Sequence, residues 1–199
     1  MSVLSLSRGS IIDRVVPKSL TADLVLIAVG TALTAVAAQI SIPASPVPFT
    51  FQTLAVLLVG TTLGAKRGAL SLALYALLGI AGVPVFAPLS DGTHTTGLTA
   101  ILGATFGFVI GFIAAAFVVG FLAERTWSSN AFKMFASYAI GTFVIYSFGV
   151  PVLASVATKG DLNAAIQIMI PFVAWDALKA IIAATILPIA WKLVKKVRS

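Results

Sequence analysis

Six apolar segments recur along the chain, and they limit its possible folds more than any other feature. A helix needs about 20 apolar residues to cross the hydrocarbon core of a bilayer. Only 10% of the residues are charged, whereas soluble domains carry about a quarter, so the chain has too little charge to cover a water-facing surface. We therefore predict an all-α integral membrane protein whose spans cover about residues 22–41, 50–63, 68–81, 101–122, 134–156 and 170–191.

The basic residues indicate how these spans are oriented. With six spans and the N-terminus inside, eleven of the 13 Lys and Arg residues fall on the cytoplasmic side, Lys159 falls outside and Lys179 lies within the last span. Cytoplasmic loops carry the excess of Lys and Arg in membrane proteins. The distribution therefore predicts a bundle of six transmembrane helices with both the N- and C-termini in the cytoplasm. We expect a single transmembrane domain over residues 1–199, made of a cytoplasmic segment at 1–19, the bundle at about 20–191 and a basic tail at 192–199.

Several functions are excluded by residue types that the chain lacks. It has no cysteine and a single histidine, His94, which excludes disulfides, thiol catalysis and a multi-histidine metal site. It carries neither a Walker A sequence nor a catalytic triad pattern, so we predict a protein that is not an enzyme and cannot hydrolyse ATP. The net charge of +7 comes from basic residues at segment ends and reflects membrane orientation, with no nucleic acid as partner.

The connections between the predicted spans differ in character. Gly64–Gly68 indicates a tight polar turn between two short helices. The proline-rich connection at 42–49 predicts stiff, extended backbone. The connection at 82–100 is long for a compact bundle, and loops of that length are either disordered or functional. Its apolar start around Phe86 favours a loop that packs on the bundle as a lid.

Two charged residues, Asp176 and Lys179, lie inside the last predicted span. They are three positions apart, so they share one face of a helix, roughly 9 and 13 Å below its outer end at about 1.5 Å per residue. Ionisable groups at such depth are costly and normally face a cavity or a partner. Two interpretations stay open: a pocket that recognises a polar group, or a self-neutralising pair that packs the last helix against its neighbours.

Other polar side chains lie near the outer ends of the predicted spans. Gln52 begins the second span and Thr105 lies at the outer end of the fourth; each is either a ligand contact or an ordinary residue that caps or packs a helix. Tyr75 and Tyr146 can direct their hydroxyls into a cavity, although interfacial tyrosines commonly have no ligand role. We keep all four as candidate substrate-binding residues.

The first span is crowded with small residues. Ala28 and Ala32 are four positions apart, with Ala35 nearby. Small residues at that spacing let helices approach closely in lipid. They either pack within the bundle or form a docking face for another membrane subunit.

Three ordered blocks of sequence carry a resemblance to a known family. They are Pro46–Gln52, then Gly60–Ser71 followed by Tyr75, then Gly79–Ala87. Together with Gly107–Phe112 and Pro171–Ala180, they resemble the BioY family, the biotin-specific substrate-binding membrane subunit (S component) of energy-coupling factor (ECF) transporters. The resemblance covers about residues 20–190, and it departs from the family pattern at Ala104, Phe108 and Trp175.

The resemblance implies a six-helix subunit in a prokaryotic plasma membrane that captures biotin from outside. Its implied partners are a transmembrane coupling protein and two cytoplasmic ATPases, and biotin is the transported ligand with no other cofactor. Asp176 would accept hydrogen bonds from the ureido N–H groups of biotin, Lys179 would donate to the ligand or neutralise Asp176, and Phe86 would cover the bicyclic ring. The alternatives are a solitary secondary carrier and a structural membrane protein without a ligand.

Overall fold

The chain is mostly helical, as the apolar segments predict. The computed structural model describes residues 10–125 and 130–197, apart from residues 11, 15, 18 and 43. Over those residues it has seven α-helices, one 3-10 turn and a sheet of two short strands. The turn is Ile12–Arg14, the strands are β1 (Ser41–Ile42) and β2 (Phe49–Thr50), and the helices are α1 (Leu20–Gln39), α2 (Gln52–Leu63), α3 (Ala65–Ile80), α4 (Gly97–Ile101), α5 (Phe106–Glu124), α6 (Ala131–Ala157) and α7 (Leu162–Val197).

Four of these helices are long and apolar enough to cross a membrane. They are α1, α5, α6 and the Leu162–Ala183 part of α7. The other two predicted spans are helical but shorter: α2 has 12 residues and α3 has 16, which corresponds to about 18 and 24 Å. The prediction of a mostly helical protein with long apolar helices is therefore confirmed, and α2 and α3 are the two predicted spans that are shorter than expected.

The predicted turn at Gly64–Gly68 is wrong in extent. The chain reverses at Gly64 alone, with φ of 86°, and α3 begins at the next residue. The backbone N–H of Ala65 donates to the Glu124 carboxylate at 2.9 Å. A carboxylate at a helix N-terminus satisfies a free donor and opposes the helix dipole. The start of α3 is thus stabilised by a residue that lies 59 positions away in the sequence.

The connections contain structure that an all-α prediction leaves out. β1 and β2 pair antiparallel, with Ser41 opposite Thr50, so the extended backbone predicted before α2 is a short hairpin. The long connection after α3 contains the short helix α4. The last helix begins at Leu162, where Asp161 accepts a hydrogen bond from the N–H of Ala164 at 3.0 Å. Because α7 starts earlier than predicted, Asp176 lies about 21 Å along it at 1.5 Å per residue.

Helix α5 occupies the centre of the bundle and packs against α2, α3 and α6, while α1 covers α3 and α2, and α7 lies on α6 and touches α2. Glycines allow the closest approaches. A Cβ added at Gly120 of α5 would overlap the backbone of Gly64 and Ala65, and one at Gly111 would lie 2.8 Å from the carbonyl of Ile145. Helix α5 therefore packs by direct backbone contact both on the junction of α2 with α3 and on α6, and small residues allow such close approach of helices in lipid.

A buried charged cluster lies where α1 and α3 begin. The guanidinium of Arg67 donates from Nη1 to Asp13 at 2.7 Å and from Nε to Asp23 at 2.7 Å, and Ser10 donates to the other oxygen of Asp13 at 2.8 Å. Arg67 and Asp23 are each only 2% exposed. From the sequence, Arg67 is one of the orienting basic residues, and the cluster it forms is not predicted. The cluster joins the segment before α1 to α1 and α3.

Candidate functional site

A cavity lies at the end of the bundle opposite the Arg67 cluster, where α1 and α3 end and α2 begins. The empty space within it is about 830 Å³, open solvent at its mouth included. Side chains from α2, α5, α6 and α7 form its walls, together with the hairpin and the connection after α3. The residues that line it are Val47, Pro48, Thr50, Gln52, Thr53, Phe86, Ala87, Leu89, Thr95, Ala100, Thr105, Phe106, Phe108, Val109, Phe112, Tyr146, Met169, Phe172, Asp176 and Lys179.

One wall of the cavity is a polar network built around Asp176. Its Oδ1 accepts from Lys179 at 2.8 Å and from the hydroxyl of Thr53 at 2.7 Å. Its Oδ2 accepts from the hydroxyl of Tyr146 at 2.7 Å. Lys179 also donates to the Thr53 hydroxyl at 2.7 Å and to the carbonyl of Thr50 at 2.8 Å. The network thus joins α2, α6 and α7 at one point.

The hydrogen-bond inventory shows what this network can offer to a ligand. An ammonium has three donors and no acceptor, and a carboxylate has about four acceptor sites. All three donors of Lys179 are used within the protein, so this side chain has none left for a ligand in this conformation. Asp176 accepts three bonds, and its Oδ2 retains an acceptor site. The network therefore presents an acceptor, and Lys179 supplies the countercharge that makes a buried carboxylate tolerable.

A second polar group lies beside this network, on the first turn of α2. The side-chain oxygen of Gln52 accepts from the hydroxyl of Thr50 at 3.1 Å, and its Nε2 donates to the hydroxyl of Tyr75 at 2.8 Å. An amide has two N–H donors and two acceptor sites. Gln52 consequently retains one unused N–H donor and one unused acceptor site, so it can both donate to and accept from a bound molecule.

The remaining walls are apolar and largely aromatic. Phe172 of α7 stacks on Phe49 with their ring centroids 3.9 Å apart. The ring of Phe108 meets Tyr146 edge-on at 6.3 Å. Phe86 covers the cavity from the connection after α3 and is itself buried. A cavity with apolar walls and a few convergent polar groups is typical of small-molecule sites.

The structure brings six of the seven candidate substrate-binding residues to the cavity wall: Asp176, Lys179, Gln52, Phe86, Thr105 and Tyr146. Tyr75 does not line the cavity; it is fully buried and lies behind Gln52. Sequence reasoning did not select Thr53 and Phe172. Thr53 directly follows Gln52 and was open to the same interpretation as a capping residue, whereas no sequence signal distinguishes Phe172 from other apolar residues.

The departures from the family pattern differ in their relation to the site. Phe108 lies in the cavity wall. Trp175 does not line the cavity; its ring meets Phe51 edge-on at 6.0 Å, and within the described part of the chain its indole N–H has no hydrogen-bond partner.

The candidate docking residues lie on α1, away from the cavity lining. Ala28 and Ala32 are exposed and Ala35 is half-buried. The same side of α1 exposes large apolar residues, among them Val29, which is 57% exposed. Ala28 and Ala32 therefore lie on the outer surface of the bundle.

The long apolar helices and the cavity together define the class: a multi-pass helical membrane protein with a small-molecule cavity at one end. The model of the BioY family matches residues 8–196, and the chain belongs to that family.

Relatives with similar sequences cover most of the chain. It is 43% identical over 157 residues to the "Biotin transporter BioY" of Thermotoga maritima, a match that covers 78% of this chain and 88% of the relative. It is 37% identical over 174 residues to the "Biotin transporter BioY" of Rhizobium etli, covering 82% and 90%. It is 38% identical over 161 residues to a "Probable biotin transporter BioY" of Pyrococcus horikoshii, covering 81% and 91%.

The fold also matches a solved structure. The crystal structure of the S-component for biotin from an ECF-type ABC transporter superimposes with a TM-score of 0.76, at 22% identity, over 88% of this chain and 95% of that one. At that identity the match concerns the fold. It supports the helical arrangement described above.

Proposed function

We propose that this chain is the biotin-binding S component of an ECF-type transporter, and that it takes biotin from the extracytoplasmic side. Family membership and relatives called biotin transporters support this function. The observation that carries it is the cavity itself, whose polar network with a spare acceptor on Asp176 lies against aromatic walls.

The chemistry of biotin fits a cavity that has a polar network on one wall and apolar, aromatic side chains on the others. Its ureido head has two N–H donors and one carbonyl acceptor, and its thioether ring and valeryl chain are apolar. We infer that the N–H groups donate to Asp176 and Gln52, and that the remaining amide hydrogen of Gln52 reaches the ureido carbonyl. Lys179 then neutralises Asp176 and orients it, because its own donors are already used. Thr105, Tyr146 and Phe86 complete the wall around the ligand.

We propose six membrane crossings within a single transmembrane domain, with both termini in the cytoplasm. Helices α2 and α3 are each shorter than a standard membrane span. The hairpin before α2 and the connection after α3 lengthen these two crossings on the cavity side. The exposed Lys66 in the first turn of α3 lies at the end opposite the cavity. That end is cytoplasmic by the positive-inside rule, and the cavity then opens outward.

The proposed partners are a transmembrane coupling protein and two cytoplasmic ATPases. The chain is a transporter subunit and not an enzyme, so uphill uptake needs an external source of energy. We assign the docking face to Ala28, Ala32 and Ala35 on α1, because two of them are exposed and α1 presents an apolar side there. Small residues permit the close van der Waals contact on which helix association in lipid depends.

The direct test is retention of radiolabelled biotin by the purified protein in detergent. The parent chain should retain biotin at a stoichiometry near one, and Asp176→Asn should weaken binding by about 1.5–3 kcal/mol, the scale of a charge-assisted hydrogen bond. Asp161→Asn is the matched control, since Asp161 directly precedes the same helix and caps its exposed start. A parent protein that folds but retains no biotin would refute the proposal.

A further inference from the structure

Tyr75 is a fully buried side chain with two hydrogen bonds, and it lies between the cavity wall and the segment that covers the cavity. We call residues 82–96 the covering segment, because Phe86, Ala87, Leu89 and Thr95 in it line the cavity. The hydroxyl of Tyr75 accepts from Nε2 of Gln52 at 2.8 Å and donates to the carbonyl of Val85 at 3.2 Å. One hydroxyl thus joins a wall residue to the covering segment.

The directions of these two hydrogen bonds follow from the chemistry of the groups. The carbonyl of Val85 can only accept, so the single hydroxyl hydrogen of Tyr75 points toward it. The Tyr75 oxygen must then accept from Gln52, which requires the NH₂ end of the amide to face it. The oxygen end of Gln52 consequently faces Thr50, in agreement with the 3.1 Å bond there. The contact with Val85 therefore fixes which way the Gln52 amide is turned.

The covering segment is held at the same point by packing. The ring of Phe86 meets Tyr75 edge-on, with centroids 5.4 Å apart. The same ring lies on the bare backbone of Gly79, where an added Cβ would overlap it. The carbonyl of Phe86 pairs with Nδ1 of His94 at 2.8 Å. Phe86 and Tyr75 thus form one unit with the end of α3.

We propose that Tyr75 is a positioning residue that couples the closed covering segment to the orientation of the Gln52 amide. It would not contact the ligand, because Gln52 stands between it and the cavity. When the segment is closed, Gln52 presents one fixed donor and one fixed acceptor to the site. When the segment opens and Val85 moves away, the Tyr75 hydroxyl loses the acceptor that fixes its direction. The side-chain amide of Gln52 can then turn. The inference rests on the proposed function for the ligand, but the coupling itself is a property of the protein.

The first test is Tyr75→Phe, which removes only the hydroxyl. The release of radiolabelled biotin should become about 5- to 10-fold faster, the scale of one buried hydrogen bond. The matched control is Tyr138→Phe: Tyr138 is also fully buried, but its hydroxyl has only a 3.5 Å contact with Thr61, on a different part of α2. Equal release rates for parent and Tyr75→Phe, or equal effects of the two variants, would overturn the proposal.

A second measurement needs no ligand and separates this inference from the proposed function. Hydrogen exchange of the covering segment in ligand-free protein should be about 5- to 10-fold faster in Tyr75→Phe than in the parent, and unchanged in Tyr138→Phe. If the parent does not bind biotin but the exchange rates differ in this way, the proposed function fails and the coupling stands. Unchanged exchange in Tyr75→Phe would refute the coupling.

Gly79→Ala keeps the hydroxyl of Tyr75 and displaces Phe86, so it provides an independent variant should Tyr75→Phe not purify. It should also accelerate both exchange of the covering segment and biotin release. Parent-like values in Gly79→Ala would contradict the view that Phe86 and Tyr75 act as one unit.

Discussion

The Asp176–Lys179 pair allows its structural contribution to be separated from its role toward the ligand. Asp176→Asn retains the size and one oxygen of the side chain, so Thr53 and Lys179 can still donate to it. What the substitution removes is the negative charge 2.8 Å from the Lys179 ammonium. Both side chains are only 6% exposed, so water does not replace that charge.

The expected loss follows from the position of the pair. Removing one partner of a buried ion pair costs about 3–5 kcal/mol, because the other charge is left uncompensated. For a chain of this size such a loss corresponds to a fall in Tm of roughly 6–20 °C. The remaining acceptors of Lys179, the Thr50 carbonyl and the Thr53 hydroxyl, are neutral, and they compensate only part of the charge.

The double variant Asp176→Asn with Lys179→Met tests whether the uncompensated charge of Lys179 causes the loss of stability. It contains no buried charge at this position, and replacing a buried pair by neutral residues is often close to neutral in stability. We expect its Tm in detergent, followed by tryptophan fluorescence without ligand, to return to within about 4 °C of the parent value, which corresponds to about 1 kcal/mol. Biotin binding should stay weak in the double variant, because the Asp176 acceptor for one of the ureido N–H groups is still missing.

Two outcomes would refute this reasoning. A double variant as unstable as Asp176→Asn alone would mean that lost hydrogen bonds, and not the uncompensated Lys179, cause the instability. A double variant with parental biotin affinity would mean that the pair only packs helices. Asp161→Asn again serves as the control, since Asn caps a helix about as well as Asp and its Tm should not change.

Three further predictions concern other parts of the chain. Replacing Ala28 or Ala32 by Trp should abolish co-purification with the coupling protein and ATPases, because the docking contact needs small side chains. Biotin retention should change less than about twofold. Intact assembly and uptake would mean that docking occurs elsewhere or that the chain acts as a solitary carrier. Cysteines at the exposed Ser90 and Ala131 should react with an impermeant reagent from outside and from inside respectively, and labelling of both from one side would contradict six crossings. Arg67→Met leaves two buried carboxylates and should lower stability by about 3–5 kcal/mol without altering the affinity of the folded protein for biotin; a changed affinity would show that the two ends of the bundle are coupled.

The residues of the site that could be predicted from the sequence are the charged ones, because burying a charge within a membrane costs free energy. A carboxylate and an ammonium within an apolar segment need a partner or a cavity, so Asp176 and Lys179 could be selected without structural information. Thr53 makes equally short hydrogen bonds, yet a threonine near a helix start has an ordinary explanation as a cap. The structure distinguishes these roles because it shows which side chain meets Asp176 across 123 positions of sequence.

The same reasoning explains which features of the fold were missed. The length and apolar character of a segment locate a helix, and each of the six apolar segments contains one. The start of α3 depends on Glu124, and the burial of Arg67 depends on Asp23, 44 positions earlier. Such contacts form only when the helices pack, so they cannot be predicted from the order of residues in the sequence. A lone basic residue between two apolar segments is therefore indistinguishable from one that faces water.

The buried state of Arg67 gives this residue two successive tasks during biogenesis. Under the proposed topology its charge helps to retain the α2–α3 connection in the cytoplasm while the chain is inserted, and acidic residues contribute little to that decision. Once α1 and α3 pack, the same charge is taken up by Asp13 and Asp23 and is no longer available at the surface. Lysine would serve the first task equally well, but it lacks the planar fork that reaches two carboxylates at once. Arg67→Lys should therefore yield a correctly oriented protein whose mature fold is weaker, and the defect would arise after insertion.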